Sequence, residues 1–287
     1  MQNNLRRTFL ILISTLLTGS LFSQVSIPKT KEQIKPSYIM ISFGAGSSNF
    51  RDFATSPLVY QGGAVYMGVG RLKHNVKSNV EYAMYYTSGK NKAEMANTPT
   101  VSHLNSFSSY YSRLYPVRKF YDSTWGLKAG GLVHATGNYR YNKSLRNNSV
   151  GFELIANIMA SVQADRDVSR TKVKHKKFLF IKYTLNPRHK ELSVRFNVGA
   201  VNTSYRDGYI YTRHASVLNQ FKIFDGYQFK VFSGARVSSF VDYTIYLKNN
   251  NAFRFSYVWD AYKTGGDLDK LEMASHILKF TLLFKTN

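Results

Sequence analysis

The side chains best placed to do chemistry in this sequence are charged residues that recur between apolar neighbours: Glu81, Lys128, Glu153, Arg195, Arg236, Asp242 and Arg254. The pattern is plainest in NNNAFRFSYVWDAYKTGG, residues 249–266, where Phe253, Phe255, Tyr257 and Trp259 alternate with Arg254, Ser256, Val258 and Asp260. Successive side chains of a strand point to opposite faces, so one face is aromatic and the other carries charge. If the charged face is enclosed, its ions must pair, and the seven residues then form a network that either fills the enclosure or lines a narrow path through it. A second charge-bearing stretch is RDVSRTKVKHKK, 166–177, with Arg166, Arg170, Lys172, Lys174, Lys176 and Lys177 against one aspartate. Such a basic patch suits phosphate-bearing lipid headgroups, through charge-assisted hydrogen bonds.

Catalytic constellations are not found. The seven histidines show no HExxH spacing, and there is neither a GxSxG elbow nor a glycine-rich phosphate loop. HLNS at 103–106 brings His103, Asn105 and Ser106 close in sequence, but on a strand Ser106 faces away from the other two. NPRHK at 186–190 reads as a turn. The chain has no cysteine, which excludes a disulfide scaffold and thiolate metal ligation. No metal or cofactor is expected.

The elements that must position these charges are strands. Ile39, Ile41 and Phe43 alternate with Met40, Ser42 and Gly44, and Val80, Tyr82, Met84 and Tyr86 alternate with Asn79, Glu81, Ala83 and Tyr85. The same period of two recurs around 65–70, 125–134, 152–162, 192–198, 237–245, 253–259 and 278–284, and less clearly around 103–115 and 177–185. These eleven segments are long, and tilted strands that cross a bilayer need about 9–11 residues. Short connections at 73–75 and 248–251 contrast with long ones at 48–58, 88–102, 139–150, 202–226 and 263–274. That asymmetry fits a transmembrane antiparallel up-and-down β-barrel, in which short turns lie on one side and long loops on the other. An even strand number is expected, so twelve is preferred, with a further strand inside 202–226, and ten is the fallback.

The N-terminus supports export. Arg6 and Arg7 precede an apolar run from Thr8 to about Phe22, followed by small and polar residues, the layout of a signal peptide over residues 1–23. A short segment, 24–36, would then precede a single barrel domain, 37–287. The formal net charge of +23 would point to nucleic acid in a cytosolic protein, but an exported chain is kept apart from it, and no nucleic-acid partner is expected.

The SLFSQ export end, WGLKAGG at 125–131, FRFSYVWDAY and the closing HILKFTLLFK resemble the tyrosine-rich outer-membrane β-barrel proteins of Gram-negative bacteria, particularly those of the Bacteroidetes. The resemblance covers the residues after the leader as architecture. It implies residence in the outer membrane, contact with its lipid and lipopolysaccharide, insertion by the barrel-assembly machinery, and partner proteins in the envelope. Three function classes follow: a structural or interaction barrel, a small anion-preferring pore or transporter, and an outer-membrane hydrolase. Bulky residues on the polar face, Tyr85, Ile155, Met159, Phe232 and Phe240, favour a filled interior and hence the first class.

Overall fold

The structure is a computed structural model and describes residues 37–74, 77–95, 98–117, 125–207, 227–266 and 268–286. The expected leader and the 24–36 segment lie outside the described residues.

Ten strands close a barrel: β1 (Ser37–Asp52), β2 (Ser56–His74), β3 (Asn79–Met95), β4 (Thr98–Pro116), β5 (Trp125–Tyr141), β6 (Val150–Asp167), β9 (Lys190–Asp207), β11 (Ala235–Tyr246), β12 (Ala252–Lys263) and β13 (Leu271–Thr286). Each pairs antiparallel with its neighbours. Closure is made by β13 against β1, from Ser37↔Thr286 to Asp52↔Leu271. The β6–β9 pairing completes the ring across the interval that holds the short hairpin β7 (Lys174–Phe178) and β8 (Ile181–Leu185). A further short strand, β10 (Tyr227–Val231), pairs with the C-terminal end of β9, while β11 pairs with its N-terminal part. Positive φ angles at Phe232 (54°) and Gly234 (88°) separate β10 from β11, so two pieces share one place in the wall.

The ring corrects the strand count from twelve to ten. Residues 177–185 belong to the β7–β8 hairpin rather than to the wall. The start of 202–226 prolongs β9 to Asp207, and 208–226 lies outside the described residues. Much of what reads as long loop is also strand, because β1 runs to Asp52 and β2 resumes at Ser56, leaving 53–55 as the turn. The reason is physical. Toward that end the outward residues of β1 become Ser47, Asn49 and Arg51, so polar side chains stand on both faces and the alternation loses its contrast.

Nearer the chain ends the outward face is apolar. Phe43, Val65, Met67, Val69, Phe107, Val133, Ile158, Phe196, Phe255 and Leu278 are all exposed, while their sequence neighbours Ser42, Ala64, Ser106, His134, Asn157, Arg195, Asn197, Arg254, Ser256 and Ile277 are buried. An apolar belt around a polar, enclosed interior is the arrangement that hydrocarbon requires of a barrel. One rim holds Ser37, Thr286, the connections 168–189 and 247–251 and the strand ends His74, Asn79, Pro116 and Trp125 (the terminal rim). The other holds the connections 53–55 and 142–149 and the strand ends Met95, Thr98, Asp207, Tyr227, Lys263 and Leu271 (the loop rim).

Depth along β1 gives a test. Phe43→Arg places a cation in the apolar belt and should cost about 2–4 kcal/mol, whereas Asn49→Arg on the same face should cost about 0–1 kcal/mol. Denaturant midpoints of the two variants refolded in vesicles measure the difference. Equal loss would mean that the belt has been placed wrongly.

Candidate functional site: a lumen bridged by ion pairs

An eight-stranded barrel is narrow enough for ordinary side chains to fill, and ten strands leave a wider interior. Here the longest cationic side chains reach across it. Asp52, the last residue of β1, is 1% exposed and accepts hydrogen bonds from Arg140 Nη2 on β5 and Arg206 Nη2 on β9, each at 2.6 Å. In the ring, β5 and β9 each stand four strands from β1, so the carboxylate is held from the far wall on both sides. Arg140 also bonds Glu153 on β6, with Nε 3.0 Å from Oε1 and Nη2 closing the same pair. Arg206 Nη1 donates to the carbonyl of Asp269 at 2.5 Å, and the Asp269 side chain is held by Lys230 Nζ at 2.5 Å. The loop rim is therefore bridged by alternating charges from β1, β5, β6, β9, β10 and the β12–β13 connection.

A second layer centres on Arg236 of β11, 1% exposed. Its Nη2 and Nε bond the Asp260 carboxylate at 2.6 and 3.0 Å, Nη1 donates to Thr136 Oγ1 at 3.0 Å and Asn157 Oδ1 at 3.2 Å, and Nη2 lies 3.2 Å from His134 Nε2. Tyr85 OH approaches the same His134 nitrogen at 2.8 Å. Between these layers Asn138 Nδ2 donates to Tyr262 OH at 2.7 Å, again over four strands.

The third layer is looser. Glu81 on β3 receives Tyr110 OH at 2.7 Å and Arg195 Nη1 at 3.1 Å, and Arg254 Nη1 lies 3.7 Å away. Arg254 is 3.9 Å from Asp242, a diagonal approach, because Asp242 stands opposite Ser256 and Arg254 opposite Thr244. Lys128 pairs with Asp165 at 2.5 Å. Beside this layer, toward the terminal rim, Tyr38, Met40, Leu72, Tyr110, Leu132, Met159 and Leu283 form an apolar plug.

All seven charges singled out in the sequence are thus buried inside the barrel, divided among three layers and the Lys128–Asp165 pair. Sequence reading missed Asp52, Arg140, Arg206 and Asp269 because they fall in stretches taken as loop, yet period two holds through the first three, while Asp269 stands in the β12–β13 connection. Inward Phe50 precedes Asp52 by two residues and inward Asn138 precedes Arg140 by two. Of the bulky residues expected inside, Ile155, Met159 and Phe240 are buried and Tyr85 packs against the plug. Phe232 is 74% exposed, because the break between β10 and β11 turns it out of the wall. The basic patch of 166–177 lies at the terminal rim, on the β6–β9 connection, where the Lys176 side chain is outside the described ones.

A Ser–His–Asp grouping occurs at that rim, but its geometry is not that of a triad. Ser169 Oγ (2.7 Å) and Asp167 Oδ1 (4.0 Å) both approach Nδ1 of His189, whereas a triad places nucleophile and carboxylate on opposite ring nitrogens. Ser169 also accepts from the Lys190 amide, so the group staples the root of the hairpin. Ser106 is buried against Asn138 while His103 faces outward. Among the described residues no group of three His, Asp or Glu side chains is placed to hold a metal.

Comparison with known proteins concerns the fold. No protein-family model matches the sequence, and no curated protein matches it. Among solved structures, the outer membrane protease OmpT from Escherichia coli superposes with a TM-score of 0.51 at 9% identity, covering 91% of this chain and 100% of that one. The chain has the fold of an outer-membrane β-barrel. The transport unit of the autotransporter AIDA-I from Escherichia coli (TM-score 0.43, 9% identity, 96% of each chain) is also similar. So is the translocator domain of NalP from Neisseria meningitidis (TM-score 0.37, 8% identity, 87% and 89%).

The layers predict a graded response. Arg236→Gln leaves the half-buried Asp260 carboxylate without its buried cation and should destabilise the folded barrel by about 3–5 kcal/mol. Lys270→Gln breaks the exposed pair with Glu272 (3.0 Å) at the loop rim and should cost about 0–1 kcal/mol. Thermal loss of the compact, heat-modifiable form on gels ranks the two. Comparable midpoints would show that the interior is wet enough to replace the lost contacts.

Proposed function

We propose that this chain is a closed-lumen barrel of the Gram-negative outer membrane, of the kind found in the Bacteroidetes, that acts as a structural or interaction component of the envelope. The observation that carries this reading is the convergence of Arg140 and Arg206 on the Asp52 carboxylate from the far wall, which leaves the loop rim bridged. A cavity of about 10 Å³ beside this knot, lined by Phe50, Tyr60, Arg140 and Asn142, has room for about one water molecule. Because β1 begins and β13 ends at one rim, we read that rim as the periplasmic one. The loop rim then faces outward and is the surface available to partners. Insertion would use the barrel-assembly machinery, as for other proteins of this fold.

An anion-preferring pore needs cations free to meet the permeating ion. Arg140, Arg206 and Arg236 are each held instead by a carboxylate. A hydrolase needs a nucleophile, a base and an orienting group in line, and the Ser169–His189–Asp167 geometry does not provide this. The likeness to OmpT is one of fold and brings no activity with it.

Planar-bilayer recording tests the reading. The wild-type barrel should show no steady conductance steps. Replacing Asp52, Arg140 and Arg206 together with alanine should still produce none, since the Arg236 layer and the apolar plug around Met40, Leu132 and Met159 remain in the lumen. Stable, anion-selective steps in the wild type would overturn the closed-lumen reading and favour the pore.

A further inference from the structure

The connection between β6 and β9 differs from the other described turns of the terminal rim. Where β11 and β12 are joined by 247–251, this one spans 168–189 and carries its own hairpin. Its pairing continues that of the wall only as far as Arg170 and Arg188, then breaks at a bend at 171–173, beyond which β7 and β8 form a separate two-stranded sheet. Val168 N donates to Lys190 O at 3.0 Å, Arg170 and Arg188 exchange bonds at 3.0 and 2.9 Å, and β7 pairs with β8 from Lys174↔Leu185 to Phe178↔Ile181.

Three features of this hairpin belong together. Between Asp167 and Glu191 there is no acidic residue and there are eight Lys or Arg. Lys172, Val173, Lys174, His175 and Lys177 are all exposed, so among the described residues none forms a layer against this part of the stem, and a two-stranded hairpin alone is marginally stable in water. Its tip is Leu179–Phe180, 72% and 84% exposed, and Leu179 adopts a φ of 54°. A two-residue turn with positive φ is ordinarily built from Asn, Asp or Gly. A bulky apolar pair held there at local conformational cost, above a basic stem, matches the interface of an anionic bilayer, which takes cations at its headgroups and apolar groups just below them.

The root of the hairpin stands where such a surface begins. Arg166 lies over the Trp125 ring at 5.1 Å and Lys190 over the Tyr243 ring at 5.6 Å, and both aromatics belong to the outward face next to the apolar belt. Arg113 does the same with Tyr115 at 5.3 Å. Cations stacked on aromatic rings at a barrel rim mark the headgroup level.

We propose that the β7–β8 hairpin docks on the anionic phospholipid surface of the leaflet at the terminal rim, with Lys172, Lys174 and Lys177 at the headgroups and Leu179–Phe180 inserted beneath them. This moves the lipid contact of the basic patch from lipopolysaccharide to the phospholipid of the opposite leaflet. It rests on the barrel being membrane-embedded and on the terminal rim facing the periplasm, but not on its lumen being closed.

The absence of native cysteine makes the test direct. Phe180→Cys carries an environment-sensitive fluorophore, and Thr184→Cys on the exposed stem is the control. The full chain is refolded into vesicles of phosphatidylcholine alone or of phosphatidylcholine with phosphatidylglycerol, each with and without bromine on the acyl chains. Heat-modifiability of each preparation, read separately, shows whether the barrel has inserted, so a failure of insertion is distinguished from a failure of docking. The expected result is a blue shift and bromine quenching at position 180 in phosphatidylglycerol vesicles, with little at position 184. Lys172→Gln, Lys174→Gln and Lys177→Gln combined should weaken docking by about two orders of magnitude, and high salt should weaken it in the same direction. A probe at 180 that stays in water in both vesicle types would overturn the proposal and leave the tip free for a periplasmic protein. Quenching that does not depend on phosphatidylglycerol would equally overturn the anionic assignment.

Discussion

The side chains inside a closed sheet have no water-facing alternative, and every charge placed there must find its counter-ion within reach. In this barrel that requirement meets a second one, the width of a ten-stranded interior. Arginine satisfies both, because its long stem crosses the lumen and its planar fork bonds two or more acceptors at once. Arg140, Arg195, Arg206, Arg236 and Arg254 come from β5, β9, β11 and β12, and each is buried against a carboxylate. The ring of strands fixes where these side chains start, and the acidic partners fix where they end.

The layers differ in tightness, and the difference follows the chain's course. At the loop rim the Asp52 contacts are 2.6 Å, and in the Arg236 layer the shortest is again 2.6 Å. Around Glu81 the Arg254 contacts lengthen to 3.7 and 3.9 Å, where apolar residues share the filling. Buried ion pairs add little net stability when compared with apolar packing of the same shape. Their contribution here is bridging: the same charges that would be costly alone hold opposite walls together across the loop rim. Phe50 stacked on Tyr60, with centroids 4.9 Å apart and rings 6° from parallel, seals the gap beside Arg140.

How much of this was legible in the sequence depends on where water lies. Within the apolar belt, alternation of Phe255 with Arg254 and Ser256, or of Ile158 with Asn157, reports both the strand and its inward face. Beyond the belt, Ser47, Asn49 and Arg51 stand outside in water while Ser48 and Asp52 stand inside among polar partners, and polarity no longer distinguishes the faces. That is why β1 and β9 read as ending early and why Asp52 and Arg206 were assigned to loops. The β7–β8 hairpin misled in the opposite way, since residues 177–185 are strand without being wall. The pairing of charges was also out of reach, because Glu81 meets Arg195 over 114 positions of sequence and no local spacing encodes that distance.

The claim on which the account turns is that charges from opposite walls are directly coupled inside a closed lumen. A double-mutant cycle on Asp52 and Arg140, using Asp52→Asn, Arg140→Gln and the pair together, reads that coupling in the unfolding free energy of the barrel in vesicles. The account predicts a coupling of about 1–3 kcal/mol, because each single change strands a buried partner that the double change relieves. Strictly additive effects would mean that water, and not the opposite wall, satisfies these charges, and the closed lumen would have to be abandoned.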